Sequence, residues 1–328
     1  MTAINQATTA EVWSRYWRTG TVHSCGIDFK GNYTGALAGF WERQFAQVPE
    51  DGLIVDLGTG NGAIPLLAKA FAESNARTFR LHGVDAADVA PASAADAGSR
   101  YDGIRFHPGT SMLSLPFADR SIDLVCSQFA IEYVAWNEAC AEIARAIAPD
   151  GRLAYVMHTT DSRIHATTLD QLVSFDVLFE SGLCGHAVAM AHILSRANTP
   201  ASRAALQQSP EAERIRAALN TAAGQVAERI AQATVPLMLA RTVEAISEVL
   251  RSAAVLGEEQ ATAVLGKLQH DLRDEHYRLQ HLREVALSPE SIGAAAESLR
   301  QHGFIEVAFH PLDQSDGMRI GWAITAHR

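Results

Sequence analysis

The pattern of apolar and polar positions changes character along the chain, and each change marks a different kind of structure. The first fifty residues interleave Trp13, Tyr16, Trp17, Phe29, Tyr33, Phe40, Trp41 and Phe45 with polar and glycine positions, which predicts a helix, an irregular loop and a second helix. From Gly52 the pattern becomes one of short apolar runs. Leu53-Ile54-Val55 closed by Asp56 reads as a buried parallel strand. A helix over Ala63 to Glu73 follows, then strands over Phe79 to Asp85, Ile104 to His107 and Ile122 to Cys126. A helix from Asn137 to Ala148 is expected to stop at the Pro149-Asp150-Gly151 turn, before a fifth strand from Arg152 to Met157. Strands alternating with helices at this spacing imply βαβ units and a mostly parallel sheet covered on both faces.

Between residues 161 and 287 strand-like runs disappear and helical periodicity takes over. Ile215, Leu219, Ala222, Val226 and Ile230 recur every three or four residues, as do Val243, Ile246 and Leu250, so each helix has one apolar stripe to bury. Strand signals then return. Ser288-Pro289-Glu290 starts a helix that Gly303 is placed to end, and Phe304 to Phe309 and Arg319 to Ala326 read as two more strands. The connection around Pro311 to Gly317 is too short for a helical crossover, so these two are expected to run antiparallel. The expected fold class is α/β: a Rossmann-like, seven-stranded, mostly parallel sheet with helices on both faces and a large helical insertion after the fifth strand. The expected domains are an N-terminal helical cap over 1–50, a core over 51–160 and 288–328, and a helical insertion over 161–287 that covers substrate, pairs two subunits, or both.

Composition narrows the partners. Of 328 residues, 48% are hydrophobic and 20% charged, as in ordinary folded domains. Twenty-seven Lys and Arg face thirty-seven Asp and Glu, and a net charge of -10 argues against nucleic acid as a partner. The N-terminus has neither a basic nor a long apolar signal region, and the densest apolar stretch, around Val235 to Ala240, is far shorter than a membrane span. No membrane partner and a cytoplasmic location are therefore expected. Cys25, Cys126, Cys140 and Cys184 lack metal-type spacing and read as reduced thiols.

The segment with the most chemistry is Val55-Asp56-Leu57-Gly58-Thr59-Gly60-Asn61-Gly62-Ala63, a strand, a glycine turn and a helix start. Glycines there let a ligand approach the backbone beside a helix N-terminus. Gly58-x-Gly60-x-x-Ala63 also satisfies a dinucleotide fingerprint, so an NAD(P)-dependent oxidoreductase stands as an alternative. Asp56 weighs against it, because a carboxylate two residues before the first glycine repels a pyrophosphate and attracts a cation. Asp85, ending the second strand, is placed to accept ribose hydroxyl protons. Two carboxylates flanking a glycine turn suit S-adenosylmethionine, which carries an amino group, a sulfonium and a ribose but no phosphate.

On these residues the segment resembles the class I S-adenosylmethionine-dependent methyltransferase family. The run from Leu115-Pro116-Phe117 to Asp123-Leu124-Val125 is similar to the family's fourth-strand motif, and the final antiparallel strand pair is also a family feature. The resemblance covers residues 50–158 and, more weakly, 288–326. It implies S-adenosyl-L-methionine as cofactor, with Gly58, Thr59, Gly60, Asn61 and Gly62 around its methionine part, Asp85 on the ribose and Thr110, Ser111 and Met112 at the adenine. Where the family often has an Asp before this motif, the chain has Ser111, whose hydroxyl can still contact adenine.

After the fourth strand, Ser127-Gln128-Phe129-Ala130-Ile131-Glu132-Tyr133 mixes polar and aromatic residues at the edge that faces the ligand crevice. Ser127, Gln128 and Phe129 become cofactor contacts, and Glu132 a candidate catalytic group. His158, after the fifth strand, is a second candidate, since its ordinary pKa allows it to take a proton near neutrality. Trp13, Tyr16, Trp17, His23, Tyr33 and Tyr133 are expected to cover the cofactor or line the acceptor site, aromatic faces being favourable to a cation. His270, His276 and His281 are not spaced as one-turn pairs, so no metal is expected. Leu265, Leu268, Leu272, Leu279 and Leu282 form a heptad-like stripe, read as core or dimer seam. The expected function is methyl transfer to an oxygen or nitrogen of a small molecule by a possible homodimer. A non-catalytic module binding the same cofactor is a further alternative.

Overall fold

The computed structural model describes residues 6–25, 31–93 and 97–328, so Phe29 lies outside the described residues. The chain divides into two compact units, one of residues 1–166 and 282–328 and the other of residues 167–281. In the first, helices α1 (Gln6–Trp17) and α2 (Gly35–Phe45) precede β1 (Gly52–Leu57), α3 (Ala63–Ser74), β2 (Phe79–Val84), β3 (Ile104–His107), β4 (Ile122–Gln128), α4 (Trp136–Ala146) and β5 (Ile147–Met157). Helices α5 (Arg163–Glu180), α6 (Leu183–Leu194), α7 (Pro200–Gln207), α8 (Pro210–Gln232), α9 (Leu237–Leu256) and α10 (Glu258–Val285) follow. The chain then closes the first unit with α11 (Pro289–Gln301), β6 (Ile305–Asp313) and β7 (Arg319–His327).

Seven strands form one sheet in the order β3-β2-β1-β4-β5-β7-β6. The first five are mutually parallel, and β7 runs antiparallel to both of its neighbours, β5 and β6. All six residues of β1 are buried because the sheet is covered on both sides. Val55, Leu57, Val125, Leu153 and Tyr155 share one core with α4 and α11, while Ile54, Leu124, Cys126 and Val156 share another with Phe40, Trp41 and Ala68. Strand order reverses between β1 and β4, and that switch opens the ligand crevice of such sheets at the carboxyl ends of the strands.

Two polar devices hold the strands in place. Asp123, one residue into β4, accepts the Leu53 backbone N–H of β1 at 2.7 Å. Arg145, in the last turn of α4, donates to the carbonyls of Phe117 at 3.0 Å and Leu115 at 3.3 Å and pairs with Asp119 and Glu142. Glu142 in turn accepts the Leu115 N–H at 2.6 Å, so the Leu115–Asp123 run is anchored at both ends.

The expected elements are present, with two shifted boundaries. Helix α4 ends at Ala146 and β5 starts at Ile147, because Ile122 pairs with Ile147 before a bulge resets the register at Leu124 and Arg152. Pro311 to Asp313, expected in a connection, belong to β6, an edge strand where a proline need not donate to a ladder on both sides.

The helical unit has its own core, including Phe175, Leu178, Ala187, Val226, Ile246, Leu265, Leu272 and Leu279. Arg229 of α8 donates to Ser174 at 3.0 Å and pairs with Asp170 of α5, tying two of its helices. The leucine stripe of α10 is spent on intrachain cores, Leu282 in that of the first unit and the others in that of the second, so it offers no seam to a second copy. His276 packs on Phe175 and Phe179, while His270 approaches Asp274; among the described residues no group of three or more ligating side chains could hold a metal. No single described helix is long and apolar enough to cross a membrane.

The Asp123 contact generates a stability prediction. Asp123→Ala leaves a buried strand donor without its acceptor, and urea unfolding should show a loss of about 1–3 kcal/mol.

Candidate active site

The glycine loop leaves β1 with its backbone in the left-handed region at Gly58 (φ 68°) and Gly60 (φ 51°). A Cβ on Gly58 would lie 2.3 Å from that of Ala130, and one on Gly60 would lie 2.4 Å from the Trp17 ring. Packing therefore demands both glycines, besides any ligand. Asn61 explains how Trp17 comes to lie there: its amide donates to the carbonyls of Trp17 at 2.8 Å and Thr21 at 2.7 Å, strapping the end of α1 to the loop. Ser14 adds a second tie by accepting the Asp88 N–H at 2.8 Å. The side chain of Asn61, expected around the cofactor, is thus engaged with the chain itself.

Asp85 accepts the Gly60 N–H on one carboxylate oxygen at 2.7 Å and the Ala87 N–H on the other at 2.8 Å. Each oxygen keeps a lone pair for a further donor. Burial raises its pKa to about 6. Asp56, at the end of β1, is more enclosed, and burial together with the neighbouring Asp85 charge pushes its pKa to about 8. Among the described residues neither carboxylate is in an ion pair. The adjoining loop is held by the Thr110 N–H, which donates to the Asp85 carbonyl at 2.8 Å. Met112 is buried, its Cε 3.6 Å from where a Gly58 Cβ would stand, whereas Ser111 is exposed and accepts the Leu113 N–H at 3.2 Å.

At the end of β4, Ser127 donates to the Leu57 carbonyl at 3.1 Å, bridging the two strands that flank the switch point. Gln128 accepts from the Trp41 indole N–H and approaches the Tyr33 hydroxyl, whose pKa burial raises and its amide lowers. Phe129 sits at φ 58°, an unusual backbone for an aromatic residue and a form of strain that collects at functional sites. The turn it makes lays its ring on His158, with centroids 4.3 Å apart and planes 9° from parallel. Glu132 accepts the His158 backbone N–H at 2.7 Å, and its second oxygen is buried beside the Ala130 and Glu132 backbone and, among the described residues, makes no hydrogen bond of good geometry. Burial raises the Glu132 pKa to about 7.

The aromatic candidates fall into two groups. Trp17 stacks on Trp13 at 5.8 Å, Tyr16 meets Trp17 edge-on at 5.0 Å, and Trp13 meets Tyr133 at 6.0 Å, with Tyr133 reaching the His158 ring at 6.4 Å. Helix α1 is thereby joined to the ends of β4 and β5. His23 and Tyr33 stack on each other at 4.4 Å, and the Tyr33 hydroxyl is held far above its ordinary pKa, mainly by burial. Sequence reasoning missed the role of Thr159, which is fully buried and directs its hydroxyl to Asp161, and Arg319, which pairs with the same Asp161 beside the Trp322 indole. Nothing near Thr159 in the sequence marks it, since its burial depends on the bridge to Leu287 beyond the insertion.

The arrangement comprises a glycine turn under an aromatic helix, two enclosed carboxylates and an acid beside a stacked imidazole. No curated protein matches the chain. Solved structures similar to it include the YcgJ protein from Bacillus subtilis, at 24% identity over 42% of this chain and 57% of that one, TM-score 0.33. A putative S-adenosyl-L-methionine-dependent methyltransferase from Methanococcus maripaludis matches at 21% over 38% and 54%, TM-score 0.31. Geranyl diphosphate methyltransferase in complex with GPP and sinefungin matches at 18% over 48% and 72%, TM-score 0.36. The chain spans little more than half the length of the first two. Residues 55–155, from the glycine turn through β5, match the family model described as a methyltransferase domain.

Proposed function

We propose that the protein transfers the methyl group of S-adenosylmethionine to an oxygen or nitrogen of a small organic acceptor at the carboxyl edge of β1, β2, β4 and β5. The observation that carries this reading is the pair Asp56 and Asp85, two enclosed carboxylates beside the glycine turn with no counter-cation among the described residues. A ligand bearing both a cation and a ribose satisfies them; a dinucleotide pyrophosphate gains nothing from a protonated Asp56 and is repelled by its ionised form. The residues fit the cofactor on chemical grounds. Asp56 would face its cationic part, the free lone pairs of Asp85 its ribose hydroxyls, the loop amides from Gly58 to Gly62 its carboxylate, and Thr110, Ser111 and Met112 its adenine.

The cofactor supplies a methyl group already activated on sulfur, so the protein's task is placement, exclusion of water and removal of a proton. Trp13, Tyr16, Trp17 and Tyr133 provide the aromatic cover, whose faces favour a sulfonium. Glu132 is the proton acceptor in this reading. His158, fixed by the Phe129 stack and by its N–H to Glu132, keeps that acid in position and is a second group able to carry a proton.

Isothermal titration with S-adenosylmethionine and with NAD tests the reading, and a signal for NAD alone would replace it. Asp85→Ala is expected to weaken cofactor binding by about 1.5–3 kcal/mol through lost charge-assisted contacts. Asp56 supplies a linked pair of outcomes. Its folded pKa of about 8 lies above the unfolded value, so its contribution to stability is full at low pH and is lost as pH rises through about 8. Asp56→Asn cannot ionise, and above that pH its melting temperature should exceed that of the ligand-free parent while its cofactor affinity falls. Because a bound cation favours the ionised carboxylates, parent affinity should rise as the pH climbs through the range of about 6 to 8, with protons released on binding. Titrations in buffers of different ionisation enthalpy would register that release.

A further inference from the structure

The segments that follow the five parallel strands, residues 56–63, 85–88, 108–114, 127–135 and 158–162, contain no Lys or Arg. Their charged residues are Asp56, Asp85, Asp88, Glu132 and Asp161. The arginines that reach them are already spent, Arg18 on Asp88 at 3.2 Å and Arg319 on Asp161 at 2.5 Å. Among the described residues, a phosphate or carboxylate on the acceptor would meet no unpaired cation at this edge.

With Asp56 and Asp85 assigned to the cofactor and Asp88 and Asp161 paired, Glu132 is the acid left over. One of its oxygens holds the His158 N–H, while the other is buried beside the Ala130 and Glu132 backbone and, among the described residues, makes no hydrogen bond of good geometry. A hydroxyl stands at the same edge: Thr159 follows His158 directly, is 0% exposed, and, with its proton directed to the Asp161 carboxylate, keeps its oxygen lone pairs for a donor. Aromatic rings complete the surroundings, with Tyr133 next to Glu132 in the chain and in edge contact with both Trp13 and His158. A carboxylate, a hydroxyl acceptor and aromatic rings together suit a cation that carries N–H donors.

We propose that the methyl acceptor is an amine, taken up as its ammonium ion and deprotonated by Glu132; this rests on the methyltransferase reading above. Deprotonation leaves a neutral nucleophile. A phenol would have to become an anion among carboxylates, and an alkoxide lies beyond the reach of a carboxylate base. The ammonium gives one proton to the second Glu132 oxygen, and the nitrogen lone pair so released forms the new N–C bond. As it forms, the bond from that carbon to sulfur breaks and the sulfur keeps its electron pair. The product leaves as a methylammonium ion, and Glu132 returns its proton to water. The raised pKa of the Glu132 carboxyl, about 7, equips it to take and return a proton at neutral pH.

The test is a binding series that does not depend on turnover. S-adenosylhomocysteine is titrated first and reports on the cofactor reading alone. The loaded protein is then titrated with phenethylamine, phenethyl alcohol and phenylacetate, and with hexylamine, hexanol and hexanoate. In at least one series the amine is expected to bind about tenfold tighter than its alcohol and carboxylate counterparts. Glu132→Gln should erase that preference while affinity for S-adenosylhomocysteine stays unchanged. Equal or tighter binding of the alcohols or carboxylates, or no amine binding at millimolar concentration, overturns the ammonium assignment and leaves the cofactor reading standing. Failure of the first titration overturns the cofactor reading itself. The parent series decides the matter even if Glu132→Gln does not fold.

Discussion

Burying a carboxylate at the end of a fully enclosed strand is unfavourable unless something neutralises it, and Asp56 is buried with no cation beside it among the described residues. The fold bears this cost by letting the group hold its proton. A ligand that brings positive charge relieves both the desolvation and the repulsion between Asp56 and Asp85. The surrounding architecture maintains that condition: β1 is covered on both faces, the glycine turn closes over its end, and Asp85 is fixed by two backbone donors so that it cannot swing away.

The sheet was readable in the sequence because β1 and β4 are short, mostly apolar runs buried on both faces, and because the residues punctuating the strands are chemically unambiguous. Gly58 and Gly60 adopt backbones that disfavour side chains, Asp123 pins β1, and Ser288 caps α11 by accepting the Ser291 N–H at 3.2 Å. Boundaries were less readable. The β5 start at Ile147 depends on a bulge against β4, and the extension of β6 through Pro311 depends on its place at the sheet edge, neither of which is a local property.

The site shows the same division. Asp56, Asp85, Glu132 and His158 were identifiable because each stands at a strand end. What each one touches was not. The amide of Asn61 gave no sign that it straps α1, and Phe129 gave none of the left-handed backbone that lays its ring on His158. Such roles are created by partners distant in the chain, as with Trp17 over Gly60 and Leu287 beside Thr159.

The position of β7 has a consequence for the order in which the molecule is made. Among the described residues β7 follows the whole helical unit and α11 in sequence, yet it is the neighbour of β5 on the side away from β4 and the partner of β6. During synthesis β5 therefore waits, one side unpaired, while the whole helical unit and α11 emerge. The run Leu153-Ala154-Tyr155-Val156-Met157 is wholly apolar, the kind of strand edge that pairs with other chains when left open. The interval between completion of β5 and completion of β7 is thus a period in which this edge is open to pairing with other chains.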